Sequence, residues 1–118
     1  MTENAQIGED LASIARHYIA AFNMRDVAAL SELLADDVAF RTRDGRTLRG
    51  HDGARTLLVA AEDANLRLEP DGDPDVHDDG RVTVPVSVVT GPGDRIRGTA
   101  VFAVRDGKIA EFEVVPED

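Results

Sequence analysis

The first 42 residues of this chain set the order of its elements: a long amphipathic helix, a tight break, a short helix and then a strand. Apolar side chains recur every three or four residues, which is the spacing of one helical face. They are Leu11, Ile14, Ala15, Tyr18, Ile19 and Phe22. The pattern predicts a helix from Glu9 to Asn23. Residues 1–8 carry no such period, so we expect an unstructured tail there.

A second helix is predicted directly after the break at 23–25. Asp26 is a typical N-cap residue, and an apolar helical pattern follows it over 27–34. We expect the Asp36-Asp37 pair to end this helix and a half-buried strand to cover 38–42. The side chains expected to be buried in the second helix are Val27, Leu30, Leu33 and Leu34.

The Asp44-Gly45 pair is typical of a two-residue hairpin turn. It predicts a short strand over 47–49, after which Gly50 lets the chain enter a third helix over 52–63. The residues of that helix expected to face inward are Ala54, Leu57, Leu58 and Ala61.

The rest of the chain alternates between β-forming runs and turn residues. The predicted strands cover 66–69, 75–77, 81–90, 95–105 and 108–115. The first two are interpreted as one strand interrupted at 70–74, and the last three as an antiparallel meander. Helices followed by a curled sheet indicate an α+β fold, in which three helices pack on a strongly curved, mixed or antiparallel sheet in a cone-shaped barrel. We expect one domain over 9–118.

Composition narrows the classes of partner. The formal net charge is −10, and the best basic cluster has four arginines, at positions 41, 43, 46 and 49. With one tyrosine, four phenylalanines and no tryptophan, there is little to stack on bases, so nucleic acid is not an expected partner. No apolar run is long enough for a bilayer, and the N-terminus lacks the features of a secretory signal. We therefore expect an acidic, cytoplasmic protein that is not bound to a membrane.

The segment RHYIAAFNMRD around Tyr18, with Asp26 and the Asp36-Asp37 pair, resembles the opening of the nuclear-transport-factor-two-like superfamily. That superfamily includes ketosteroid isomerases and SnoaL-like polyketide cyclases. The resemblance extends over about 14–115 and implies a cystatin-like α+β roll with a pocket inside the cone. It also implies a homodimer formed by the outer face of the sheet. The residues of that face are Arg97, Thr99, Val101, Ala103, Glu111 and Glu113.

In the isomerases that the chain resembles, a tyrosine and a neutral carboxylic acid donate hydrogen bonds and an aspartate acts as the base. Tyr18 matches the tyrosine and is the expected donor, but Ala100 and Thr42 stand at the two carboxylate positions. Losing a positioned base lowers a rate by roughly 10²–10⁴, and losing an oxyanion donor by roughly 10²–10³. Isomerase chemistry by that mechanism is therefore not expected. The alternative for Tyr18 is a core tyrosine.

Alternation along the strands assigns the lining of the cone. The residues expected to line a ligand pocket are Tyr18, Phe22, Phe40, Thr42, Leu57, Ala100, Phe102, Phe112 and Val114. Ser87 and His77 join them if the strand register shifts by one residue. This lining suits a small hydrophobic metabolite, bound with or without being transformed. The alternative is a non-catalytic association module with a filled core, and an empty pocket of several hundred Å³ would favour ligand binding.

The remaining charged groups suggest weaker hypotheses. Arg95 and Arg97 are expected to face outward with Glu111 and Glu113 in a salt-bridge ladder, so the arginine and aspartates of an epoxide hydrolase are missing. A His77–Asp78 catalytic dyad facing the cone is a third hypothesis. The acidic segment 69–80 lacks the glycine and glutamate of a calcium loop. We expect neither a metal nor a cofactor.

Overall fold

The computed structural model describes residues 2–42 and 45–117, with side chains described from residue 10 onward. Helix α1 spans Thr2–Met24, so it begins before the predicted Glu9. The apolar period marks only the part of a helix that packs against other elements. The backbone can continue in helical form beyond the last buried turn.

The break and the second helix follow the sequence closely. Helix α2 spans Val27–Leu33, and the Asp26 carboxylate accepts a hydrogen bond from the Ala29 N–H at 3.1 Å, as the predicted N-cap requires. Leu30 is buried, but Val27 is 44% exposed. The burial predicted for Val27 was wrong because the first turn of so short a helix extends past the core.

The expectation that Asp36-Asp37 ends α2 was also wrong. Strand β1 spans Leu34–Arg41, and Leu34 is its first residue. The register between β1 and the last strand of the chain shifts between Leu34 and Ala39, so the two aspartates lie in an irregular stretch of β1. Their side chains are exposed there. At an irregularity of this kind, polar side chains can be exposed to solvent while the strand continues.

A short hairpin and the third helix follow. Strand β2 spans Thr47–Arg49, as predicted, and pairs antiparallel with β1. Asp44 of the predicted turn lies outside the described residues. Helix α3 spans Gly50–Asp63, two residues longer at its start than predicted. Gly53 brings this helix close to β2, since a Cβ there would lie 2.8 Å from the Leu48 carbonyl carbon.

Five further strands complete the sheet. They are β3 (Arg67–Pro70), β4 (Asp75–Val76), β5 (Arg81–Val89), β6 (Arg95–Arg105) and β7 (Lys108–Pro116). Strands β3 and β4 both pair antiparallel with β5, as an interrupted strand would, and β5, β6 and β7 form the predicted meander.

The strands form one seven-stranded sheet in the order β2-β1-β7-β6-β5-β3, with β4 also on β5. The pairing of β1 with β7 is parallel and the other pairings are antiparallel, so the sheet is mixed. Helix α1 packs against β3, β4 and β5, and α3 packs against β1 and β2. Three helices on one mixed sheet confirm the predicted α+β architecture. No helix within the described ranges is both long and apolar enough to cross a bilayer.

Candidate functional site

Aromatic side chains fill the deep part of the cone. The ring centroid of Tyr18, on α1, lies 4.7 Å from that of Phe112 on β7 and 5.4 Å from that of Phe102 on β6. Phe102 and Phe112 face each other across the two strands with their centroids 4.9 Å apart. All three side chains are buried. We call these three residues the deep aromatic cluster, and it is packed as a protein core is packed.

A cavity of about 200 Å³ lies beside this cluster and opens to solvent. We call it the mouth cavity. Residues from α1, α3, β1, β3, β5 and β7 and from the segments beside them form its walls. The lining residues are Phe22, Phe40, Arg41, Thr42, Leu57, Ala60, Ala61, Leu66, Leu68, Val88, Phe112 and Val114.

Two of the lining residues, Arg41 and Thr42, have polar side chains, and both are occupied by nearby groups. The Thr42 hydroxyl donates to the Arg46 carbonyl at 3.2 Å and accepts from the Arg46 N–H at 3.1 Å. The Arg41 guanidinium is 62% exposed and lies 3.9 Å from a Glu111 carboxylate oxygen. The walls therefore recognise a ligand mainly through apolar contact.

Tyr18 does not line the cavity, but its ring packs on two residues that do, Phe22 and Phe112. Among the described residues no hydrogen-bond partner of the Tyr18 hydroxyl is present. Burial raises the pKa of Tyr18 well above its usual value of 10.0, so the group is a neutral donor at any physiological pH.

The structure separates the nine predicted pocket residues into two groups. Six of them line the mouth cavity: Phe22, Phe40, Thr42, Leu57, Phe112 and Val114. The other three are Tyr18, Ala100 and Phe102, which are buried next to the cavity and not on its surface. Ala100 lies between Val84 of β5 and Val114 of β7.

The predicted pocket lining omitted one wall of the cavity, although Ala61 was expected to face inward. Ala60 and Ala61 near the end of α3 and Leu66 and Leu68 around the start of β3 also line it. Leu66 and Leu68 are two residues apart, which is the period of one strand face. That signal was present, but β3 is four residues long and its inward face was not assigned from so short a run.

The histidines lie apart from the cavity. His77 is exposed, and its Nε2 lies 3.0 Å from the Thr83 hydroxyl. Within the described ranges it makes no hydrogen bond to Asp78, so the structure does not form the hypothetical dyad. His17 is exposed on α1, and His51 Nε2 lies 3.8 Å from an Asp36 carboxylate oxygen. No group of three or more metal-ligating side chains occurs among the residues the structure describes.

Ser87 faces the outer side of the sheet. It is paired with Arg97 on β6, and its hydroxyl donates to the Asp71 carboxylate at 2.7 Å. The Asp71 N–H also donates to the Pro85 carbonyl at 2.7 Å, so the segment after β3 covers this part of β5. Ser87 is buried by that segment and does not join the cavity, since its register places it on the opposite face.

The outer face carries charged residues, but not in the expected ladder. Arg95 pairs with Glu69 of β3 at 2.8 Å, and the partners of Glu111 and Glu113 on β6 are Ala103 and Val101. The prediction of arginine–glutamate pairs between β6 and β7 was wrong because the strand register offsets the two sets of charges. The face instead has a depression of about 300 Å³ with apolar residues between charged ones.

Comparisons with known proteins agree with this geometry. A model of the SnoaL-like domain matches residues 15–112. A proposed polyketide cyclase from Sinorhizobium meliloti is 29% identical, with a TM-score of 0.78 over 91% of this chain and 97% of that one. An NTF2-like protein of unknown function from Mesorhizobium loti is 25% identical, with a TM-score of 0.77 over 94% and 93%.

A third structure supports the fold alone. A protein of unknown function with a cystatin-like fold, from Methylobium petroleophilum, is 15% identical, with a TM-score of 0.81 over 94% of this chain and 78% of that one. No curated protein matches the chain. The fold predicted by resemblance is thus confirmed by both the family match and the structures.

Proposed function

This chain belongs to the SnoaL-like domain family, and we propose that it binds a small apolar molecule of one or two rings in the mouth cavity. The observation that carries the proposal is an open cavity of about 200 Å³ in which ten of the twelve lining residues have apolar side chains. Water gains few hydrogen bonds in such a space, so an apolar ligand displaces it favourably.

The volume sets the size of the ligand. Pockets for drug-sized molecules usually measure roughly 300–1,000 Å³, and an engineered apolar cavity of about 150 Å³ holds benzene. At about 200 Å³, the mouth cavity lies between these two cases. It suits a one- or two-ring compound, and a steroid with four fused rings would extend out of it.

The side chains that line the mouth cavity favour ligand binding over catalysis. Arg41 is the single ionisable side chain among the lining residues, and it is exposed at the rim. At the two positions that match isomerase carboxylates, Thr42 is hydrogen-bonded to Arg46 and Ala100 is buried among aliphatic residues. We propose Tyr18 as the hydrogen-bond donor to a ligand carbonyl or hydroxyl that reaches between Phe22 and Phe112, since no described residue takes up its hydroxyl and its ring lies 4.7 Å from that of Phe112.

The proposal is tested by a thermal-shift screen on the wild type and on Tyr18→Phe. The panel contains one- and two-ring aromatics with and without a carbonyl, terpenoid epoxides, fatty acids and steroids. A ligand at one hundred times its Kd adds about 2.7 kcal/mol, which moves the midpoint by several degrees in a domain of this size. We expect shifts from the small ring compounds, and smaller shifts in Tyr18→Phe for those that carry a carbonyl. No shift from any compound would contradict ligand binding.

The filled deep aromatic cluster favours a second function, a non-catalytic association module. Its surface would be the outer face of the sheet, where Val101, Ala103 and the charged Arg81, Glu111 and Glu113 surround the depression. Arginines and glutamates on one surface can pair across a two-fold axis, which suits a homodimer.

Analytical ultracentrifugation of the wild type and of Val101→Asp tests the dimer. We expect the wild type to be a dimer and Val101→Asp to be a monomer, because the substitution buries a carboxylate in the interface. Val76→Asp, which places the same charge on the exposed β4, is the control and should remain a dimer. A monomer in both proteins would contradict the association.

A further inference from the structure

The end of α1 holds three walls of the mouth cavity together through hydrogen bonds to backbone groups. These bonds come from two side chains, Asn23 and Arg25, which flank the exposed Met24. Neither side chain lines the cavity, and neither is an obvious functional residue from its position in the sequence.

Arg25 occupies an unusual backbone conformation. Its φ is +57°, in the left-handed region that residues other than glycine adopt at a cost of about 1–2 kcal/mol. A left-handed residue allows the chain to turn sharply, and the Asp26 N–H then donates to the Ala21 carbonyl at 2.9 Å. The turn directs the Arg25 side chain back across the end of α1 toward α3.

The Arg25 guanidinium reaches three carbonyl groups. It donates through Nη1 to Phe22 at 2.8 Å, and through Nη2 to Ala61 at 3.2 Å and to Leu66 at 2.5 Å. Its carbon lies 5.3 Å from the centroid of the Phe22 ring, within the range of a cation–π contact. One rigid, planar guanidinium group therefore connects α1, α3 and the segment before β3.

Asn23 supports the same region from a different direction. Its side-chain NH₂ donates to the Leu68 carbonyl at 2.8 Å, and its side-chain oxygen accepts from the Leu68 N–H at 2.9 Å. Strand β3 is at the edge of the sheet, so the carboxamide takes the place of a neighbouring strand at Leu68.

All the backbone groups that these two side chains bind belong to residues that line the mouth cavity: Phe22, Ala61, Leu66 and Leu68. We infer that Asn23 and Arg25 are positioning residues of the ligand cavity, which fix the separation of its α1, α3 and β3 walls and so set the ring size that it admits. This inference rests on the proposed function, because it assigns the selectivity of the same cavity.

The test compares two probes, benzene and naphthalene, on the wild type, Arg25→Lys, Asn23→Ala and Glu62→Gln. Lysine keeps the charge but cannot span three carbonyls, and Asn23→Ala removes both bonds to Leu68. Glu62→Gln is the matched control, since it removes only the exposed ion pair of Arg25 at 3.0 Å. Dissociation constants are measured by NMR titration at a temperature where circular dichroism shows every protein folded.

We expect the ratio of the two dissociation constants to change at least tenfold in Arg25→Lys and in Asn23→Ala, and to stay at the wild-type value in Glu62→Gln. Should Arg25→Lys fail to fold, Asn23→Ala decides the outcome. A ratio within twofold of wild type in the folded variants, with only the melting temperature lowered, would overturn the inference, because it would show a purely stabilising role.

A measurement without ligand separates this inference from the proposed function. Crystal structures of unliganded wild type and Arg25→Lys should differ in the spacing of the α1 and α3 walls and in the cavity volume. If the wild type binds neither probe and the walls still move, the proposed function is wrong and the positioning role stands. If the walls coincide, the positioning role is wrong whether or not the probes bind.

Discussion

The deep aromatic cluster and the mouth cavity have the same apolar character, yet one is filled and the other is open. In the deep region Tyr18, Phe102 and Phe112 place large rings within 4.7–5.4 Å of one another. Around the cavity, three phenylalanines and three leucines share the walls with the smaller Ala60, Ala61, Val88 and Val114, and part of the space between them stays open.

Completeness of packing, rather than polarity, therefore distinguishes the candidate site from the core. Both regions use residues of α1 and of the central strands, and Phe112 belongs to both. A ligand would complete the packing that small residues leave incomplete. Substitutions that exchange large and small side chains between the two regions are therefore the most direct tests.

The largest effect is expected from emptying the deep region. Phe102→Ala should destabilise the fold by about 3–5 kcal/mol, since it removes a fully buried ring and leaves a cavity. Leu57→Ala, at the half-buried edge of the mouth cavity, should cost only about 1 kcal/mol because its atoms are already partly in solvent. Urea denaturation measures both, and similar losses would remove the distinction between the two regions.

The next test replaces a valine by phenylalanine in each region separately. Val84→Phe should cost about 1–3 kcal/mol, because a ring has no space beside the buried Ala100. Val114→Phe should cost less than about 1 kcal/mol, since its ring can enter the mouth cavity. Thermal unfolding compares the two. A larger loss at Val114 than at Val84 would show that the cavity does not tolerate added atoms.

Gly98 lies on β6, where it is paired with Pro116 of β7. A Cβ at this position would lie 2.6 Å from the Val115 carbonyl oxygen and 3.2 Å from Val114 Cγ1. Gly98→Ala should therefore destabilise by about 1–3 kcal/mol through displacement of β7. Thr99→Ala, the next residue on the opposite face, is the control and should cost less than about 1 kcal/mol. Equal losses in chemical denaturation would argue against the close approach.

The smallest effect is expected at Glu69, which belongs to neither region. Hydrogen bonds from Arg67 and then Arg95 lower the pKa of its carboxyl below the usual 4.5. A lowered pKa means that the charged carboxylate stabilises the fold at pH above 4.5, and that this contribution is lost as the pH falls through the folded-state value. Glu69→Gln should thus be slightly less stable than wild type at pH 7. The difference should narrow in acid, and a constant difference across the range would contradict the assignment.

Much of the fold could be predicted from the sequence because its elements carry strong local signals. The apolar period of α1, the Asp26 cap and the turns that join β5, β6 and β7 all correspond to observed features. The predicted ends of helices and strands were wrong where long-range packing determines them. Asp36 and Asp37 looked like a helix end, but the pairing of β1 with β7, distant in sequence, extended the strand through them.

The candidate site was less accessible to sequence reasoning. Alternation assigned Phe40, Phe112 and Val114 to the inner face, but it could not show that the Tyr18 and Phe102 rings would meet and fill the interior. Nor could it place Leu66 and Leu68 opposite Phe22, since that contact depends on how α1 lies across the sheet edge. The side-chain bonds of Arg25 to carbonyls of α1, of α3 and of the segment before β3 have no sequence pattern at all.

If a small ring compound occupies the mouth cavity and not the deep region, titrating the wild type with naphthalene should change the methyl NMR resonances of the cavity walls. We expect saturable shifts at Leu57, Leu66, Leu68, Val88 and Val114, with Val84 and Ile109 unchanged. Unchanged cavity methyls at saturating naphthalene, or shifts centred on the outer face of the sheet, would contradict this expectation.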